Sequence, residues 1–123
     1  MKGLLLAAVL TLVPMAAYGE PQAAALGFGL SKCSEFLDDT LGKDKSDTTD
    51  FLAYGSWAQG FMTGMNGSLE VNGGKNNEKN LGAFKIVEQM TRYAHYCEQH
   101  PDQVFELAVF DFYKSLPRYH GTR

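Results

Sequence analysis

Cys33 and Cys97 are the only two cysteines in the chain, and what precedes them decides how they are used. Met1-Lys2 is a short positive start, Gly3 to Val13 (GLLLAAVLTLV) is uncharged and apolar, and the small residues Ala17 and Gly19 stand where a signal peptidase reads. This is the pattern of a secretory signal peptide over residues 1–19, too short for a membrane span, with cleavage leaving Glu20 as the first mature residue. No cysteine directly follows the apolar run, so no lipid anchor is expected. Export places the chain in an oxidising compartment, the periplasm if the source is Gram-negative and otherwise outside the cell. There a lone pair of cysteines bonds by default. A Cys33–Cys97 disulfide closes a long loop, which the chain-entropy treatment values at about 4 kcal/mol. In a small domain with a thin core, that is a large share of net stability.

Removing residues 1–19 leaves 104 of the 123 residues, enough for one small domain. With Lys2 gone, ten basic side chains face fourteen acidic ones, a formal charge of −4. No Lys/Arg cluster or stripe is visible along the sequence, so nucleic acid is not an expected partner. No second apolar run is long enough for a membrane, so no stable insertion is expected after the signal is removed.

Apolar periodicity then predicts an all-α domain of four short helices over 31–116, with the first and third joined by the disulfide. Residues 20–30 (EPQAAALGFGL) are an N-terminal arm that fits either a mobile segment or a strand-like lead-in. Ser31 suits an N-cap, and Cys33, Phe36, Leu37 and Leu41 mark the apolar face of a first helix that Gly42 ends. Lys43 to Thr49 reads as a solvated loop. Thr48, Thr49 or Asp50 caps a second helix, and Val71 to Asn80 is a Gly/Asn-rich loop. A third helix runs from about Leu81 to Gln99, with Ala83, Ile86, Val87, Met90, Ala94 and Cys97 on one face. Pro101 suits the first position of a fourth helix carrying Val104, Phe105, Ala108, Val109, Phe112 and Leu116. Pro117 stops it, and 117–123 is a basic tail.

The second helix contains YGSWAQGFMTGMN, Tyr54 to Asn66. At 100° per residue, Tyr54, Trp57, Phe61 and Met65 form an aromatic face. Ser56, Gly60 and Gly64 form a ridge without bulk, and Gln59, Thr63 and Asn66 a polar strip. Each Gly costs a helix about 1 kcal/mol, which close packing against another helix would offset. The ridge is therefore expected to be a helix–helix contact, and the polar strip a candidate partner-binding surface.

The residues that bear chemistry form no catalytic constellation. His95 and His100 fall on different helix faces and His120 lies in the tail, so no zinc spacing results. Ser56 lacks the flanking glycines of a nucleophile elbow, since Tyr54 and Ala58 hold those places. Asp38 and Asp39 diverge on a helix. The expectation is a chain that is not an enzyme and takes neither metal nor cofactor; a small secreted hydrolase stays as a third reading, because fourteen acidic residues allow a spaced pair.

Two stretches carry a resemblance. KCSEFL (Lys32 to Leu37) and YCEQHPDQVF (Tyr96 to Phe105) resemble the HdeA family of periplasmic acid-stress chaperones at Cys33, Phe36, Leu37, Cys97, Gln99 and Phe105. Tyr54, Gly55, Gly60, Asn66 and the His100-Pro101 step are similar to a group sharing that fold, the Rap/Tai immunity proteins of type VI secretion systems. The resemblance implies a small helical fold with one disulfide that works by binding proteins, without turnover. The first reading is an HdeA-like chaperone that opens in acid. Protonating fourteen carboxylates and three histidines takes the mature side-chain charge from −4 to +13. The alternative is an immunity protein that holds one toxin. The partner is a protein or protein clients in both, and a homodimer is left open.

Overall fold

The structure is a computed structural model that describes residues 27–41 and 48–121. The expected signal peptide, the arm before residue 27, most of the charged loop after the first helix and the last two residues lie outside the described residues. Four helices follow in order: α1 (Cys33–Leu41), α2 (Thr49–Val71), α3 (Ile86–Gln99) and α4 (Phe105–Ser115), with 3-10 turns at Gly27–Leu30 and Lys75–Asn77. Among the described residues there is no strand, only two isolated antiparallel bridges, Lys32 with Val104 and Lys79 with Arg118. The all-α class is as the periodicity predicts. So is the disulfide: Cys33 and Cys97 are bonded across Cα atoms 4.8 Å apart, and both are fully buried.

The disulfide holds together a junction that the sequence did not reveal. At the start of α1 the exposed N–H groups are satisfied by backbone from the segment before α4. Cys33 N–H donates to the Gln103 carbonyl (2.7 Å), and Ser34 N–H to that of Pro101 (3.0 Å). In return Phe105 N–H donates to the Ser31 carbonyl (2.8 Å). Each helix start thus uses the other's lead-in for capping. This corrects two expectations. Ser31 is not the cap of α1, and Pro101 does not open α4, because residues 101–104 run across to α1 and α4 begins only at Phe105.

α3 also starts later than expected, at Ile86. The Asn80 side chain accepts from Gly82 N–H (3.1 Å) and its carbonyl from Ala83 N–H (3.2 Å), a local turn that competes with helix. The same device then opens two helices. Glu35 accepts the Lys32 N–H and Glu88 the Lys85 N–H, each at 2.8 Å from the third helical position. The end of α2 is explained by Gly73, whose φ of +79° suits glycine. Gly74 N–H reaches the Leu69 carbonyl and Gly73 N–H that of Glu70, the paired bonds of a Schellman cap.

The core is aromatic and centred on Phe105, which is fully buried. Its ring lies 4.6 Å from Phe36, 5.0 Å from Tyr54 and 5.5 Å from Tyr93, with edge-on contacts to both tyrosines. Tyr93 in turn meets Phe112 at 5.3 Å. Edge-to-face pairs of this kind add about 0.5–1.5 kcal/mol each beyond area burial. All four helices therefore share one cluster, tied by the disulfide.

Candidate functional site

The core-facing line of α2 is Tyr54, Ala58, Met62 and Asn66, joined by Gly55. The four sit at i, i+4 spacing, one step round from the aromatic face the sequence suggests. Of that face Tyr54 is core, whereas Trp57, Phe61 and Met65 are half-buried at its flank. Trp57 stacks on Phe61 at 5.1 Å and lies beneath the Gly27–Leu30 turn, where a Cβ on Gly29 would overlap its ring. With Phe28 4.6 Å from Tyr54, the described end of the arm is a packed 3-10 turn rather than a strand-like lead-in.

The ridge expectation is overturned. Ser56, Gly60 and Gly64 are exposed, and a Cβ on either glycine would meet nothing within 4 Å. The glycine packed against another helix is Gly55, whose added Cβ would come 3.0 Å from Ile86 Cδ1. The polar strip divides. Gln59 and Thr63 are exposed, and the Thr63 hydroxyl donates to the Gln59 carbonyl within the helix. Asn66 is only 5% exposed and is removed as a candidate for partner contact. Its amide donates to the Lys79 carbonyl, while its Oδ1 accepts from Lys79 N–H and from the Tyr113 hydroxyl at 2.7 Å. A buried amide in this position fixes the loop after α2 to α4.

Among the described residues three clefts stand out on the surface. Between α3 and α4 a cleft of about 630 Å³ has Phe84, Ala108 and Phe112 in its lining, and the Arg92 guanidinium lies 4.4 Å from the Phe84 ring centre. Several of its polar groups are bonded within the helices and their caps. Ser115 Oγ donates to the Phe112 carbonyl, Glu88 accepts the Lys85 N–H, and the Gln99 amide lies 3.0 Å from His95 Nε2. Among the described residues the Thr91 hydroxyl likewise donates to the Val87 carbonyl rather than to His95. A second cleft of about 430 Å³ between α1, α2 and α3 is mainly apolar, with Phe36, Phe51 and Met90 in its lining. Its rim includes Leu41, 60% exposed, and Val87, 63% exposed. Both are expected on buried helix faces; instead α3 turns Ile86 inward and Val87 outward. A third cleft, of about 370 Å³, is polar and lies between the Lys75–Asn77 turn and residues 118–121.

Among the described residues three phenols are perturbed. Burial holds the Tyr93 hydroxyl in its neutral form well above the ordinary tyrosine range. Tyr54 is raised chiefly by burial, with a hydrogen bond to Ser31 opposing and the Asp39 carboxylate 3.2 Å away reinforcing. Tyr113 is raised by burial and by the charge of Glu78. All three phenols belong to residues of the buried core. Among the described residues no three His, Cys, Asp or Glu side chains gather as metal ligands would, and no helix is long and apolar enough to cross a membrane.

Comparison of the chain with protein-family models, with characterised proteins and with solved structures finds no match. Two buried polar residues, Glu78 and Gln89, escaped sequence reading because each lies in or beside a stretch otherwise typical of solvent. The cleft residues Leu41 and Val87 escaped it because helical phase alone does not show where a neighbouring helix stops.

Proposed function

We propose that the chain is an exported, non-catalytic protein-binding protein, HdeA-like in plan, that meets its partners through the apolar cleft between α1, α2 and α3. One observation supports this reading: Leu41 and Val87 stand 60% and 63% exposed at the rim of a cleft floored by core residues. Large apolar side chains held out around a concavity are costly in water unless something covers them. The disulfide beneath keeps the wall of that cleft rigid, which reduces the ordering a partner must supply.

Two modes of binding follow from the resemblance to HdeA-type chaperones and to type VI immunity proteins. In the chaperone mode, acid opens the fold and exposes Phe105 and Phe112, now 0% and 4% exposed. In the immunity mode, the folded protein binds one toxin at neutral pH, and the cleft already open in the folded chain favours this second reading. Trp57 is the sole tryptophan and lies half-buried against Phe61, so its emission reports opening. Titration from neutral pH to about pH 2, where carboxylates protonate, should be run beside light scattering of an acid-sensitive client. A chaperone shifts its emission and suppresses client aggregation. An emission shift without suppression rejects that mode and leaves the dedicated binder.

A further inference from the structure

The polar cleft gathers basic residues that are scattered in sequence. Asn66 holds Lys79 by both its N–H and its carbonyl. Lys79 bridges to Arg118, with Asn80 N–H on the Pro117 carbonyl and Tyr119 N–H on that of Glu78, both at 2.8 Å. The Lys79 ammonium donates to the carbonyls of Lys114 and Leu116 at the end of α4. This lattice lays the chain after α4 along the loop after α2, bringing Lys75, Arg118 and His120 to one cleft. All three are exposed, and among the described residues no hydrogen bond or ion pair occupies their side chains. The only carboxylate lining the cleft among the described residues is Glu78, which is 1% exposed. On a chain whose overall charge is negative, this end is locally positive.

We propose that this end of the molecule binds an acidic, carboxylate-rich segment of a protein partner. The donors decide the class of ligand. A compact anion such as phosphate is usually held by converging backbone N–H groups, and at this cleft several of them already serve backbone carbonyls. Asn77 N–H goes to the Gly74 carbonyl, Glu78 N–H to that of Lys75 and Tyr119 N–H to that of Glu78. The charged donors are the Lys75 and Arg118 side chains on two separate segments, with the Asn76 amide beside them. Carboxylates spaced along a peptide match that spread, and the Arg fork accepts one of them in bidentate fashion. The acidic remainder of the surface repels the same segment, so the field orients an approaching partner toward this end.

The inference rests on the protein-binding reading only in taking the segment from a protein; it does not involve the apolar cleft. The test is titration of a hexaglutamate peptide into the isotope-labelled mature protein at low salt, followed by amide shifts. Shifts should concentrate at residues 75–76 and 118–121 and fade as salt is added. The double variant Lys75→Ala/Arg118→Ala should keep its melting temperature and bind about tenfold more weakly, the scale of two exposed ion pairs. Lys85→Ala, on another surface, should bind as the parent does. Absence of peptide binding, or shifts spread equally over Lys32 and Lys85, overturns the proposal. So does inorganic phosphate, or vesicles of anionic lipid, engaging Lys75 and Arg118 where the peptide does not.

Discussion

Asn66 satisfies three partners from one buried side chain, and two of them belong to the loop after α2. Its replacement by alanine leaves the Lys79 N–H and carbonyl and the Tyr113 hydroxyl seeking new partners. At about 1–3 kcal/mol for each buried group left unmade, and with some rehydration, Asn66→Ala should cost about 2–4 kcal/mol. Tyr113→Phe removes a single bond and should cost about 1 kcal/mol. Urea denaturation of both variants checks the order, and an unshifted midpoint for Asn66→Ala contradicts the assignment. In sequence, Asn66 falls on the polar side of its helix and reads as solvent-facing. Only the fold places Tyr113, on α4, against it.

α2 shows most clearly what a helical pattern does and does not disclose. Its existence follows from apolar spacing alone, but its phase was drawn from the bulkiest residues, and bulk is not burial. Trp57 and Phe61 cover the side of the helix, while the smaller Ala58 and Met62 face the centre. The glycines follow the same correction. Gly60 and Gly64 face open space, so Gly60→Ala and Gly64→Ala should each stabilise by up to about 1 kcal/mol through helix propensity. Gly29→Ala instead meets the Trp57 ring and should destabilise by about 1–3 kcal/mol while changing the tryptophan emission. Thermal melts of the three variants test this, and a loss of stability at Gly60 and Gly64 would restore the packed-ridge interpretation. The starts of α3 and α4 were illegible for a related reason: their position depends on carbonyls and turns supplied by distant or competing segments, which no local signal records.

For the whole molecule, fold class and disulfide were legible because both depend on pattern along the chain. The clefts were not, because Lys75 and Arg118, or Leu41 and Val87, become neighbours only after folding. The raised phenols of Tyr54, Tyr93 and Tyr113 give the folded chain a defined alkaline limit. The folded state favours the neutral phenol, so this stability is complete below the unfolded tyrosine value of about 10 and is lost as pH rises beyond it. Urea midpoints should hold up to about pH 9 and fall as pH rises past about 10; midpoints flat from about pH 9 to pH 11 contradict it. The central claim, that the folded chain binds proteins through the α1–α2–α3 cleft, is tested most directly by a photo-crosslinking residue at Val87, compared with one at Gly64 on the open face of α2. In cells exporting the protein at neutral pH, discrete protein adducts should form at Val87 and not at Gly64. Equal labelling at the two positions, or none at Val87, would contradict the account.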